Sequence, residues 1–188
     1  TWTECTGQEA DQVTGTWKAP HARKAAALAA TWWTAGDTLC TGDDHAETLA
    51  GTTVTHTYPG TFAARDRDIC VSVTGSVPPV SADLRTTATV TTTTTGQLIF
   101  TGCAYIEGTV YSVGSGANSV DVTFGATTMT DLYFKNCAIR GGGTSGGRAM
   151  LGSTTAGAGV KVTWDNTTYQ VASTAATMAG RSAGHGRT

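Results

Sequence analysis

Cysteines stand at Cys5, Cys40, Cys70, Cys103 and Cys137, separated by 35, 30, 33 and 34 residues. The last four lie in or beside short apolar runs. A near-constant interval with drifting local identity means that one supersecondary unit is laid down repeatedly, as in stacked or solenoidal chains. The cysteines carry no other reading as well. No CxxC pair or paired cluster occurs, and an odd count leaves no complete disulfide framework, so they read as small reduced core residues that mark the rungs.

Composition narrows the classes. A chain of 188 residues fits one domain with a core of its own. Only 14% of residues are charged and the net charge is −2, so nothing attracts phosphate backbones and no nucleic-acid partner is expected. Threonine makes up about a fifth of the chain and glycine contributes 24 residues, a bias toward strands and turns and against an α-helical fold. No apolar run approaches the roughly 20 residues that span a bilayer, and the N-terminus lacks a charged segment followed by an apolar stretch, so no membrane contact is expected. The chain starts at Thr1, which leaves a processed start open.

Along the chain, residues 1–19 are polar and irregular, with Trp2 and Trp17 as isolated anchors, and read as an arm that docks on a neighbour or caps the fold. From Pro20 to Trp33 good helix formers dominate, with Ala25, Leu28, Ala29 and Trp32 on one face, so the sequence predicts a short amphipathic helix stopped by Gly36. About ten short β-branched and aromatic runs follow, over 37–40, 52–58, 68–73, 86–94, 98–100, 106–113, 120–124, 132–139, 149–151 and 160–171. Two segments are close copies: Leu98 to Ala104 (LIFTGCA) and Leu132 to Ala138 (LYFKNCA), offset by 34. A third, Trp164 to Thr168, continues the second at an offset of 30 and sets Trp164 under Phe134 and Asn166 under Asn136. A competing register joins Val110 to Phe134 at an offset of 24, and the sequence does not choose between them.

Either register stacks parallel strands about 4.8 Å apart, so like residues form ladders and exposed threonines coat the pleated outside. The core expected on this basis comprises Leu28, Trp32, Cys40, Cys70, Val90, Leu98, Phe100, Cys103, Val122, Leu132, Phe134, Cys137, Val162 and Trp164. One domain is expected over residues 20–172, with 173–188 as a flexible, glycine-rich tail. A β-sandwich is the competing all-β fold. Against it stand the long repeat offsets and the lack of Asn-Gly or Asp-Gly hairpin signals.

Several groupings carry the residue types of chemistry. Asp43, Asp44, His45 and Glu47 have the oxygen and imidazole donors of a divalent-cation site, although a polar turn accounts for them as well. The stretch Gly143 to Gly147 (GTSGG) resembles the nucleophile segment of chymotrypsin-like proteases, with His45, Asp83 and Ser145 in the chain order of a triad. The flanking segment such a histidine needs is missing, and a glycine-rich connection is the better account. Asp68, Glu107, Asp121, Asp131 and Asp165 have the chemistry of glycoside hydrolysis but are scattered along the chain. Asn166 to Thr168 fits a glycosylation sequon and coincides with a repeat position. No catalytic residue and no cofactor is therefore expected.

The helix followed by Ala35 to Cys40 (AGDTLC) resembles the entry of right-handed parallel β-helix proteins, in which a helix caps the first coil. The segments GDDHAET (Gly42 to Thr48), YPGT (Tyr58 to Thr61) and ICVSVTGSVPPVSADLRTTATV (Ile69 to Val90) are similar to a group of bacteriophage virion proteins of β-helical type. The resemblance covers residues 25–172, and GSVPPVSADL is its most specific element. It implies an all-β, short right-handed parallel β-helix with one N-terminal capping α-helix. The work it implies is non-enzymatic: a capsid-surface decoration or head-fibre protein on the virion surface. Its partners would be further copies, as a trimer, and virion proteins such as the major capsid protein. A tail-associated receptor-binding or polysaccharide-cleaving spike is the alternative, and a secreted serine hydrolase the second.

Overall fold

The structure, a computed structural model, describes residues 23–29, 33–51, 53–113, 122–125, 129–141, 149–151, 159–170 and 178–180. After one helical segment, α1 (Lys24–Leu28), the described chain makes five passes through three ladders of strands. The first pass supplies β1 (Thr38–Gly42), β2 (Ala46–Ala50) and β3 (Val54–Tyr58), one to each ladder. The second supplies β4 (Asp66–Val71), β5 (Ala88–Thr93) and the first half of β6 (Leu98–Glu107). The second half of β6 opens the third pass, followed by β7 (Thr109–Ser112) and β8 (Val122–Phe124). Then come β9 (Thr130–Lys135), β10 (Ala138–Arg140) and β11 (Ala149–Leu151), and last β12 (Val160–Asp165), β13 (Thr168–Gln170) and β14 (Met178–Gly180). All pairings between these strands are parallel. The protein is all-β, with parallel strands in sheets.

Registers place like above like. In the first ladder Leu39, Asp68, Ile106, Phe134 and Trp164 form one column. Glu47, Val90, Tyr111, Ile139 and Tyr169 form one in the second. His56, Phe100 and Phe124 form one in the third. These columns point inward and make one core, with Phe100, Tyr111, Ile106, Phe134 and Ile139 fully buried. Each Leu- or Phe-sized side chain so buried contributes roughly 1.5–3 kcal/mol.

The corner between the first and second ladders explains where strands end. Gly108, Asn136 and Asn166 each follow the last residue of a first-ladder strand and each has a positive φ, at 83°, 50° and 45°. Only glycine, and asparagine at modest cost, enters that region readily. The asparagines also bond through the stack: Asn166 Nδ2 donates to Asn136 Oδ1 at 2.7 Å, and Asn136 Nδ2 donates to Glu107 Oε1 at 2.9 Å. Gly102, at φ 92°, bends β6 from the third ladder into the first, where a Cβ would collide with the carbonyl of Tyr58.

The structure departs from sequence expectation in definite places. Of the helix expected over 20–33, the described residues 23–29 and 33 show α-helix only at the five residues of α1. Alanine propensity sustains few turns alone, and Arg23 offers no side-chain cap; the Lys24 amide bonds instead to Glu47 Oε2 at 3.0 Å. The LIFTGCA and LYFKNCA copies do not stack at 34. Leu98 pairs Val122 in the third ladder, whereas Leu132 pairs Ala104 in the first: each copy bends at its fifth residue, Gly102 leading from the third ladder to the first and Asn136 from the first to the second. Val110 pairs Ala138 rather than Phe134, while the 30-residue register of Trp164 on Phe134 is observed. The runs at 106–113, 132–139 and 160–171 each break into two strands at a corner. β2 was hidden by its glutamate, and β14 lies within the stretch expected to be a flexible tail.

Among the expected core residues, Leu28, Cys40, Cys70, Val90, Leu98, Phe100, Cys103, Val122, Leu132, Phe134 and Cys137 are buried. Trp32 lies outside the described residues. Val162 is half-buried and Trp164 is 36% exposed, since no described strand pairs beyond β12 on the far side of Phe134.

Candidate functional site

The outward positions are sorted by ladder. In the second and third ladders they are nearly all small and uncharged, as in Thr48, Thr91, Ser112, Thr55 and Thr123, with Arg140 the charged exception among described strand residues. The first ladder carries the ionisable and aromatic groups instead. Arg67, Tyr105 and Tyr133 share a column: the Arg67 guanidinium lies 5.8 Å from the Tyr105 ring centre, and the two tyrosine rings stack at 5.5 Å and 19°. Such contacts form where neighbouring strands put equal residues side by side.

Beside them Glu107, Lys135 and Asp165 form a second outward column. Tyr105 donates its hydroxyl to Glu107 Oε2 at 2.6 Å, and Tyr133 donates to Asp165 Oδ2 at 2.9 Å. Burial and the Glu107 bond push the Tyr105 phenol above its ordinary range, and the Asp165 bond does the same for Tyr133, so both remain protonated donors. Arg65 pairs with Asp131 on the same face. Three acids scattered in sequence thus share one face, although each is already engaged. Asp121 lies outside the described residues.

A second feature is the 72–87 excursion between β4 and β5, which carries the GSVPPVSADL block. Its shape is set by Asp83, whose Oδ2 accepts from Ser76 N at 3.1 Å, Ser76 Oγ at 2.6 Å and Val80 N at 2.9 Å. The Ser76 hydroxyl bond, followed by the Val80 amide, holds this carboxyl below the ordinary range. Leu84 packs back on Cys40, Ile69 and Val71, outside the first ladder, while Val73, Val77 and Val80 stay exposed at 38%, 38% and 55%. The excursion presents apolar side chains on an ordered frame.

The third feature is inside. Lys24 enters the core from α1 with its ammonium 2.9 Å from Asp68 Oδ1, and it donates to Thr109 Oγ1 at 3.0 Å and Tyr111 OH at 3.1 Å. Tyr58 donates to Asp68 Oδ2 at 2.7 Å. Burial alone would lower the Lys24 pKa, but Asp68 and Tyr111 outweigh it and hold the group above its ordinary range. Alongside, His56 is fully buried with neither ring nitrogen hydrogen-bonded, stacked on Phe100 at 5.1 Å and edge-on to Tyr111 at 5.7 Å. Burial first, then the Lys24 charge, pushes His56 down to about 3.

The ionisable cluster seen in the sequence does not converge. Asp43 caps a turn, accepting from Val73 N at 3.1 Å, with Arg85 Nε 3.9 Å away. Asp44 is exposed, and His45 Nε2 lies 3.5 Å from Glu47 Oε2, which turns inward to α1. Among the described residues no three His, Cys, Asp or Glu side chains gather as a metal site. Asp83 is committed to its own loop, so His45 and Asp83 do not pair, and Ser145 lies outside the described residues. The buried lysine and histidine were missed by sequence reasoning; Lys24, beside Arg23 at the edge of an alanine run, reads as an ordinary solvated charge. Comparison with family models, curated proteins and solved structures finds no match to this chain.

Proposed function

We propose that the chain is a short right-handed parallel β-helix serving as a non-enzymatic structural protein of a bacteriophage particle, a capsid-surface decoration or head fibre. It acts by self-association, as a trimer, and by docking to virion proteins such as the major capsid protein. The observation that carries this reading is the cyclic visit of the chain to three parallel ladders, ending on a pass whose inward Trp164 is part-exposed. A stack of that kind has ends and flat faces that invite further protein. The GSVPPVSADL block, on which the phage resemblance rests most, coincides with the ordered excursion that exposes three valines. Mass spectrometry and imaging of purified particles test the proposal. The chain should be found in a regular array on the shell, and its absence from particles would overturn the assignment.

A second reading, a tail-associated receptor-binding spike, draws on the Tyr105 and Tyr133 pair with its flanking acids. Since Glu107, Asp131 and Asp165 are each hydrogen-bonded or ion-paired within the face, this surface suits binding better than bond cleavage. Retention on glycan arrays that is lost in Tyr133→Ala would favour it.

A further inference from the structure

The interior below α1 holds more charge than a stacked core normally carries. Asp68 occupies a column whose other inward members are Leu39, Ile106, Phe134 and Trp164, so a carboxylate stands where the repeat puts apolar groups. Among the described residues its counter-charge is brought in by α1, through Lys24. A buried charge that loses its partner is strongly destabilising, so the seat for Lys24 is specific. Yet the element that delivers it is only five residues long and has no side-chain cap. Among the described contacts it is held, apart from its apolar packing, by the Lys24 ammonium and by the Lys24 amide on Glu47.

His56 lies in the same interior. The titratable groups around it are Lys24 from α1, Tyr58 on its own strand β3, Asp68 from β4 and Tyr111 from β7, with Glu47 of β2 and its neighbour His45 under the start of α1. With both nitrogens unpartnered, the neutral ring makes only apolar contacts, on Phe100 and Tyr111. A proton on this ring would put a second cation into a space where Asp68 already serves Lys24. Of the two cations, His56 is fixed in a paired strand, whereas Lys24 rides on the short segment.

We propose that residues Lys24–Ala29 form an acid-released latch, in which protonation of buried His56 expels Lys24 from Asp68 and frees the N-terminal segment while the ladders stay intact. Asp68, left behind, then faces the imidazolium through the tyrosine hydroxyls instead of the ammonium. The device has two states, docked and released, and one proton biases them.

Linkage sets the size of the response. Release removes the Lys24 charge and uncovers β3, on which α1 packs, so His56 moves from about 3 toward its ordinary 6.5 and the released-to-docked ratio rises by up to about 25-fold between pH 7 and pH 5. Amide hydrogen exchange of the full chain, corrected for intrinsic rates, reads this directly. Protection of the α1 amides should lie below that of the β9 amides at pH 7 and fall further, by up to that factor, at pH 5, and His56→Phe, or His56→Gln should the larger ring not fit, should remove the acid response. An unchanged α1 protection at pH 5, the same response in both variants, or α1 protection equal to that of β9, which would mean that α1 opens only when the whole chain unfolds, would each overturn the latch.

Discussion

The two ends of the stack are built from the same columns but with opposite chemistry. At the first passes the interior holds Glu47, His56, Asp68 and the incoming Lys24; at the last it holds Phe124, Phe134 and Trp164. Phe134 and Trp164 stack at 5.1 Å and 17°, and Phe124 meets both edge-on. A charged interior is closed only by a segment carrying the matching charge in the matching place. An aromatic interior accepts almost any further ring or apolar chain. The first end is therefore specific and closed by Lys24 of α1, whereas the last described pass leaves its inward Trp164 part-exposed.

The contrast breaks most readily at the aromatic end. Phe134→Asp places an unpaired carboxylate among four aromatic side chains and should cost about 4 kcal/mol or more, enough to unfold the chain in a denaturant titration. A small loss would mean that the last passes are not a packed core. At the polar end Asp68→Ala strands the Lys24 ammonium and should cost about 3 kcal/mol. The double variant Lys24→Met with Asp68→Leu should recover most of it; equal losses in single and double variants would show that the pair is not the lock.

Acid acts on the polar end alone. The folded pKa of His56 lies near 3, below its unfolded value of 6.5, so the unfolded chain binds the extra proton between these values. The contribution is whole above about pH 6.5 and is lost progressively as pH falls toward 3. Stability should drop by about 2 kcal/mol from pH 7 to pH 5, and His56→Phe should flatten that slope in a melting series. The smallest effect on the monomer belongs to Trp164→Ala, at about 1 kcal/mol, because the ring is already part-exposed. Its larger consequence should appear in sedimentation, as loss of self-association; unchanged assembly would detach the open end from the partner contact.

The sequence carried the repeat and the all-β class because they rest on composition and on ladders of similar residues, as in Phe134 over Trp164. It misled where similarity of sequence was not equivalence of position. Leu98 and Leu132 head matching heptapeptides but sit in different ladders: Gly102 and Asn136, each the fifth residue of its copy, turn the chain at different corners, from the third ladder to the first and from the first to the second. β2 escaped notice because Glu47 is turned inward, against binary patterning, to meet α1. The outer acid and tyrosine face was equally hidden: Glu107 and Asp165 lie 58 residues apart in the chain and share a column only once the third, fourth and fifth passes are in register. Local pattern reports the strand, and long-range register decides its neighbours.

The most direct test of the stacked account is solution NMR of inter-strand contacts. It predicts cross-strand NOEs joining Ile106, Phe134 and Trp164 in one series and Val110, Ala138 and Thr168 in another, with the pattern of parallel strands. Antiparallel contacts between strands adjacent in sequence, or a Leu98 to Leu132 series at an offset of 34, would contradict it.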